Sequence, residues 1–180
     1  IVGFAAVALL GVLPGIVVAV IASLLALIRR AYRPRVAVLG RAAGETSADE
    51  DYRFRSIDRH PEYETIPGLI LFRFSNELFF ANAAYFRDET LRLVAGADPP
   101  ARTVLVDASA ISHLDTTAVA MLEDLIDRLN AAGVTFELCR TTAAFNDALD
   151  RTGLRERIGA DELHRSVHTG VESFLRRPAR

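Results

Sequence analysis

From Ile1 to Ile28 the chain carries no charged residue, and no other feature of the sequence restricts its fold so tightly. A helix rises about 1.5 Å per residue, so one straight helix of this length would overshoot the roughly 30 Å hydrocarbon core of a bilayer. Leu13-Pro14-Gly15 stands in the middle of the stretch, and proline removes a backbone donor and clashes with the preceding turn. The pattern predicts the tail of one membrane helix from Ile1 to about Val12 and most of another from Pro14 to Ile28. Residues 1–30 are thus expected to be transmembrane and broken near Pro14-Gly15. A buried soluble helix is the poorer reading, because such helices seldom run so long without a polar stripe. Neither an initiating Met nor a basic leader nor a cleavage site precedes a folded domain, so a signal peptide is not expected and the chain is expected to begin inside a membrane protein.

Arg29, Arg30, Arg33, Arg35 and Arg41 follow at once. Basic residues crowded at a membrane exit mark the cytoplasmic side and favour anionic headgroups. Everything after Arg29 is therefore expected to be cytoplasmic, below a multi-pass inner or plasma membrane, with the lipid bilayer as one partner. The formal net charge of -2 lacks the basic surplus of a nucleic-acid binder. Cys139 is the one cysteine, so no internal disulfide can form and stability has to come from a hydrophobic core.

Residues 31–65 read as a basic juxtamembrane segment, a small, polar, acidic linker from Gly40 to Asp51, and two short edge strands at Val36–Leu39 and Tyr52–Ile57. Residues 66–180 then alternate strands and helices. The apolar run Leu69 to Phe74 between Pro67-Gly68 and Ser75-Asn76 predicts a buried strand, with a shorter one at Glu77 to Phe80. Asn82 is placed to cap a helix reaching about Val94. Thr103 to Asp107, continuous in β-formers, predicts a central strand covered on both faces. Thr116 to Ala132 places Val119, Leu122, Ile126 and Leu129 at helical spacing and ends at Gly133. A strand at Val134–Cys139, a helix at Ala143–Arg151 and a last helix striped by Val167, Val171, Phe174 and Leu175 complete an α/β layer with a parallel pair in its sheet.

The loop from Ile111 to Val119 joins the central strand to the strongest helix and sets Asp115, Thr116 and Thr117 at that helix's N-terminus. Unsatisfied N–H groups and the positive end of the helix dipole suit a cap there, and they also tolerate added negative charge such as a phosphate. From the physics alone, capping by Asp115 or Thr116 outweighs a phosphorylation site.

The order of these motifs resembles a STAS domain: the strand Thr103–Asp107, Ser109, the Asp115-Thr116-Thr117 loop, the amphipathic helix to Gly133 and the next strand. Pro67-Gly68-Leu-Ile-Leu-Phe-Arg-Phe, Leu78-Phe79-Phe80-Ala81-Asn82-Ala83 and Tyr85-Phe86 resemble the version carried by SulP-type anion transporters. So do Gly11-Val12-Leu13-Pro14-Gly15, Arg33-Pro34 and Val38-Leu39-Gly40. The resemblance implies a STAS-like mixed, mostly parallel sheet covered by helices and preceded by a transmembrane helix. It implies the C-terminal part of a secondary-active, sulfate-type inorganic anion transporter whose anion site lies outside this chain, in membrane helices of its own. The STAS domain would then regulate or assemble the transporter and could pair with a second copy. The resemblance further implies a regulatory loop at Asp115, Thr116 and Thr117, supported by Asp107 and Ser109. In anti-sigma antagonists the phosphorylated Ser occupies the place of Thr116, and Ala118 stands where Gly is frequent. Some relatives bind nucleotides, but without a Gly-rich phosphate loop any such site here would be weak and shape-based, and no cofactor is expected.

Other constellations carry less. Ser109, His113 and Asp115 offer the residue types of a nucleophilic triad, but they sit in one loop without a nucleophile elbow, and no enzyme is expected. His164 and His168 are four apart near Asp161 and Glu162, yet no third ligand is positioned, so they read as exposed histidines and no metal is expected. Phe79, Phe80, Tyr85 and Phe86 read as core rather than as a ligand surface. A membrane-tethered STAS sensor, acting as a phospho-switch like an anti-sigma antagonist, is the alternative to the transporter.

Overall fold

The computed structural model describes residues 11–42 and 54–177. It divides between Pro34 and Arg35 into two compact units, each taken by itself below.

The first unit is a helix, α1 (Val12–Tyr32). Its 21 residues span roughly 32 Å, and by length and composition it can cross a membrane. Pro14 and Gly15 lie in its first turn, where helical N–H groups have no intrahelical partner and a missing donor costs nothing. Gly11, at φ 86, starts the helix, and its carbonyl accepts the Gly15 N–H at 3.0 Å. The helix runs through Arg29 and past Ile28, the end anticipated from the sequence. The segment expected to hold the preceding helix, 1–10, lies outside the described residues.

The second unit holds β1 (Val36–Arg41), β2 (Phe54–Ser56), β3 (Leu69–Phe74), α2 (Ala83–Ala95), β4 (Thr103–Asp107), α3 (Thr116–Ala131) and β5 (Thr135–Cys139). After these come α4 (Ala143–Thr152), α5 (Leu154–Ile158), a 3-10 turn at Ala160–Glu162, β6 (Leu163–His164) and α6 (Val167–Arg176). The six strands form one sheet in the order β2-β1-β3-β4-β5-β6. β1 runs antiparallel to both neighbours, and β3 to β6 are parallel. β1 is therefore interior rather than the edge strand anticipated, with Leu39 and Gly40 buried. Residues 52 and 53 of the expected second edge strand fall outside the described residues.

From β3 onward each new strand is added on the same side of the last, and right-handed crossovers then drop every connecting helix onto one face. That face buries Ile70, Phe72, Phe74, Val104, Val106, Phe136 and Leu138 against Phe86 of α2, Leu122, Leu125, Ile126 and Leu129 of α3, Phe145 and Leu149 of α4 and Leu154 of α5. Each fully buried Leu, Ile or Phe contributes about 1.5–3 kcal/mol, so this layer dominates stability. Phe86 meets Phe74 edge-on at 5.0 Å and Phe72 at 5.8 Å. The opposite face packs Leu39, Leu69, Leu71, Leu105 and Cys139 against Val167, Val171 and Phe174 of α6. Contact is closest at Gly170, where a Cβ would meet Leu105 Cδ2 at 2.6 Å.

Glu77 to Phe80 is not a strand; Leu78 makes one isolated bridge to Leu114. Local side chains take the backbone groups a ladder would need. Asn76 Oδ1 accepts the Glu77 N–H, Asn82 Oδ1 accepts the Phe79 N–H, and Asn82 Nδ2 donates to the Glu77 carbonyl. Asn82 does precede α2, but it makes no side-chain cap bond to that helix.

Candidate functional site

The loop between β4 and α3 is fixed at both ends by carboxylates. Asp107 closes β4 and is fully buried. Arg73, opposite it on β3, donates from Nε to Oδ2 at 2.7 Å, and the Ser109 N–H donates to Oδ1 at 3.1 Å. The chain then turns through Ile111, whose carbonyl accepts from Thr142 Oγ1 at 3.3 Å.

Asp115 caps α3: its Oδ1 accepts the Ala118 N–H at 2.7 Å, while Oδ2 accepts the Phe80 N–H at 2.7 Å. One side chain thus satisfies an orphan donor of the helix and ties the 75–82 segment to it. Glu77 makes the reciprocal tie, accepting from the Ser112 N–H at 2.8 Å, the Ser112 hydroxyl at 2.5 Å and the His113 N–H at 3.1 Å. Burial pushes the Glu77 carboxyl up, but the Ser112 and His113 donors outweigh it and hold the group below its ordinary range;.

Thr116 and Thr117 are exposed. They are the first residues of α3, and neither hydroxyl has a hydrogen-bond partner among the described residues. Beside them Phe80 shows 66% of its surface and stacks edge-on with Phe79 at 5.5 Å. The structure therefore brings Asp115, Thr116 and Thr117 together, with Asp115 in the capping role. Asp107 and Ser109 hold the start of the same loop. The clamp residues Glu77 and Arg73 were missed in the sequence; their signal is a charge set in an apolar stretch, Arg73 within Leu69–Phe74 and Glu77 just before Leu78.

Among the described residues no hydrogen bond joins Ser109, His113 and Asp115, and no group of three His, Cys, Asp or Glu could hold a metal ion. His164 corrects an expectation. It sits on β6, largely buried, with Nε2 2.6 Å from Glu137, and Arg177 bonds the other oxygen of that buried carboxylate. His168 pairs with Glu172 at 3.2 Å. Helical spacing failed as a guide here because His164 lies on a strand. Of the aromatics, Phe86 is core, whereas Phe80 faces outward.

Residues 60–170 match the STAS domain family. The chain is 32% identical over 173 residues to a "probable sulfate transporter" of Mycobacterium tuberculosis, covering 96% of this chain and 30% of that protein. It therefore spans under a third of this curated relative's length. Two solved structures share the fold. Murine solute carrier 26 family member A9, an anion transporter in the inward-facing state, matches at TM-score 0.74 and 19% identity over 91% of this chain and 26% of the other. The STAS domain of a SulP transporter from Vibrio cholerae matches at 0.53 and 13% identity over 66% and 90%. With the sheet and the sequence match in agreement, the chain belongs to the STAS domain family, and its domain is homologous to the C-terminal region of sulfate transporters.

Proposed function

We propose that the chain is the C-terminal part of a secondary-active, sulfate-type inorganic anion transporter and that its STAS domain regulates or assembles that transporter. One observation carries this reading: the likeness to a sulfate transporter runs over 96% of the chain, so it takes in both the apolar helix α1 and the α/β domain. On this reading residues 1–30 belong to a multi-pass membrane region, 31–65 link it to the sheet, and 66–180 form a STAS domain on the cytoplasmic side. The anion binds in membrane helices outside this chain. The domain performs no catalysis, and its partners are its own membrane region, the bilayer and a second copy of itself.

The regulatory face is the Asp115-Thr116-Thr117 loop, with Asp107 and Ser109 supporting it. Thr116 is its phospho-acceptor, because its hydroxyl is exposed at a helix N-terminus whose dipole favours a doubly charged group;. Exposed loops held on a rigid scaffold carry recognition more often than packing. The test is sulfate uptake and melting temperature, measured together, for full-length Thr116→Glu and Thr116→Ala. Uptake is expected to change several-fold while stability stays within about 0.5 kcal/mol. Absence of sulfate uptake by the wild-type protein would remove the transporter reading. A stability loss matching any uptake loss would reduce Thr116 to a structural residue.

A further inference from the structure

At the C-terminal ends of β3, β4 and β5, charged residues gather on the face against which α6 packs. Asp107 is fully buried and both its oxygens are served, Oδ2 by Arg73 Nε and Oδ1 by the Ser109 N–H. A single guanidinium is enough to neutralise it. Yet a second is present: Arg140 Nη1 stands 3.8 Å from Oδ2, within ion-pair range and too far for a hydrogen bond. Arg140 is also the one non-glycine residue with positive φ among the described residues, at 58°. That conformation is costly for a side chain with a Cβ, so the backbone is held in an unfavourable state to aim a charge that Asp107 does not need.

The donors left over point outward. The Arg73 and Arg140 side chains are 36% and 37% exposed. Arg73 commits only Nε to Asp107, Arg140 makes no side-chain hydrogen bond among the described residues, and neither does the Ser109 hydroxyl. Two guanidiniums against one carboxylate leave one positive charge. Arg35 adds another, exposed and two residues before Ala37, which pairs with Arg73 across β1 and β3. Guanidinium forks match phosphate and sulfate oxygens in pairs. Bridging two forks, one on β3 and one just past β5, takes at least three oxygens pointing in different directions, which a tetrahedral anion has and a carboxylate lacks.

We propose that Arg73 and Arg140, held in place by the buried Asp107, form a binding site for a tetrahedral oxyanion, phosphate or sulfate, either free or as the phosphate of a lipid headgroup. This stands apart from the transporter reading, since it uses only the geometry of the domain. The experiment follows the side-chain Nε–H resonances of Arg73 and Arg140 by NMR in the full chain. Inorganic phosphate, sulfate or chloride is titrated at constant ionic strength in phosphate-free detergent, and the spectra are compared with those in phosphatidylglycerol nanodiscs without added phosphate. Saturable shifts with phosphate and sulfate, and none with chloride, identify the free ion; shifts in the nanodiscs alone identify the headgroup. Arg140→Gly should weaken binding at least about tenfold while the melting temperature holds or rises, because glycine adopts this φ freely. No saturable shift in either setting would overturn the site. So would unchanged binding in Arg140→Gly, or a fall in its melting temperature that accounts for the lost binding.

Discussion

Asp115→Ala should separate the structural part of the loop from its exposed part. The substitution removes two hydrogen bonds at once, to the Ala118 N–H at the start of α3 and to the Phe80 N–H in the facing segment. Replacing an acidic N-cap by alanine costs about 1 kcal/mol. The Phe80 N–H belongs to an exposed residue, so water can replace part of the second bond and its loss adds about 0.5–1 kcal/mol. The total of about 2 kcal/mol corresponds to a melting-point drop of roughly 4–8 °C for a domain of this size. Asp115→Asn should lose about half as much, since one acceptor oxygen can keep the cap while the amide nitrogen opposes the Phe80 donor. Thr116→Ala, which breaks no hydrogen bond among the described residues, should shift the midpoint little. Thermal melts followed by circular dichroism on the three variants decide the matter. If Asp115→Ala stays within about 0.5 kcal/mol of wild type, the two-bond role of this carboxylate is wrong.

Val106, fully buried at the centre of the sheet, should not tolerate Asp: an unpaired charge there costs about 4–5 kcal/mol or more, and a cooperative melt persisting near the wild-type temperature would show that β4 is not central. Glu77 should make stability acid-sensitive. Its carboxyl is held below the ordinary value, so its contribution is present above the unfolded pKa of about 4.3 and is lost as pH falls through the lower folded value. Melting temperatures of wild type and Glu77→Gln should differ at neutral pH and converge in acid; a constant gap from pH 7 to pH 3 would contradict the clamp.

The sequence was most legible where burial and periodicity coincide. Thr103 to Asp107 is buried at every position, as an unbroken run of β-formers requires, and α3 begins at Thr116 as its cap and stripe predict. The stripe itself was read slightly out of phase: Ala118, Met121 and Leu125 are buried, while Val119 is only partly so, because packing against both the sheet and neighbouring helices widens the buried arc beyond one row. Glu77 to Phe80 failed for a different reason. Its apolar Leu78-Phe79-Phe80 suits a strand, but Asn76 and Asn82 capture the local backbone, and side chain to backbone bonds of that kind do not show in a hydrophobic pattern. β6 escaped notice because two residues are too few for any period.

Site residues follow a related rule. The placement of Asp115, Thr116 and Thr117 at a helix start was readable because helix N-termini impose a local chemistry that sequence spacing records. Arg73, Glu77, Glu137 and Arg140 were not, since their roles come from pairings across the sheet or between distant segments. The cause lies in the topology. With the parallel strands added in one direction, all crossover helices cover one face and fill it with apolar side chains. Among the described residues, α6 is the one helix packed on the other face. Polar residues can survive there, and the two buried acids of the sheet, Asp107 and Glu137, lie on that face with Arg73, Arg140, His164 and Arg177 around them. A buried carboxylate has to be paired, and the cations near these two, from β3 and from the segments just past β5 and α6, stand at the margin of the sheet, where part of every guanidinium stays in reach of solvent. The uneven layering that β3 to β6 impose is thus what places fixed, partly exposed positive charge at the ends of the strands, and it does so through contacts that no single stretch of sequence contains.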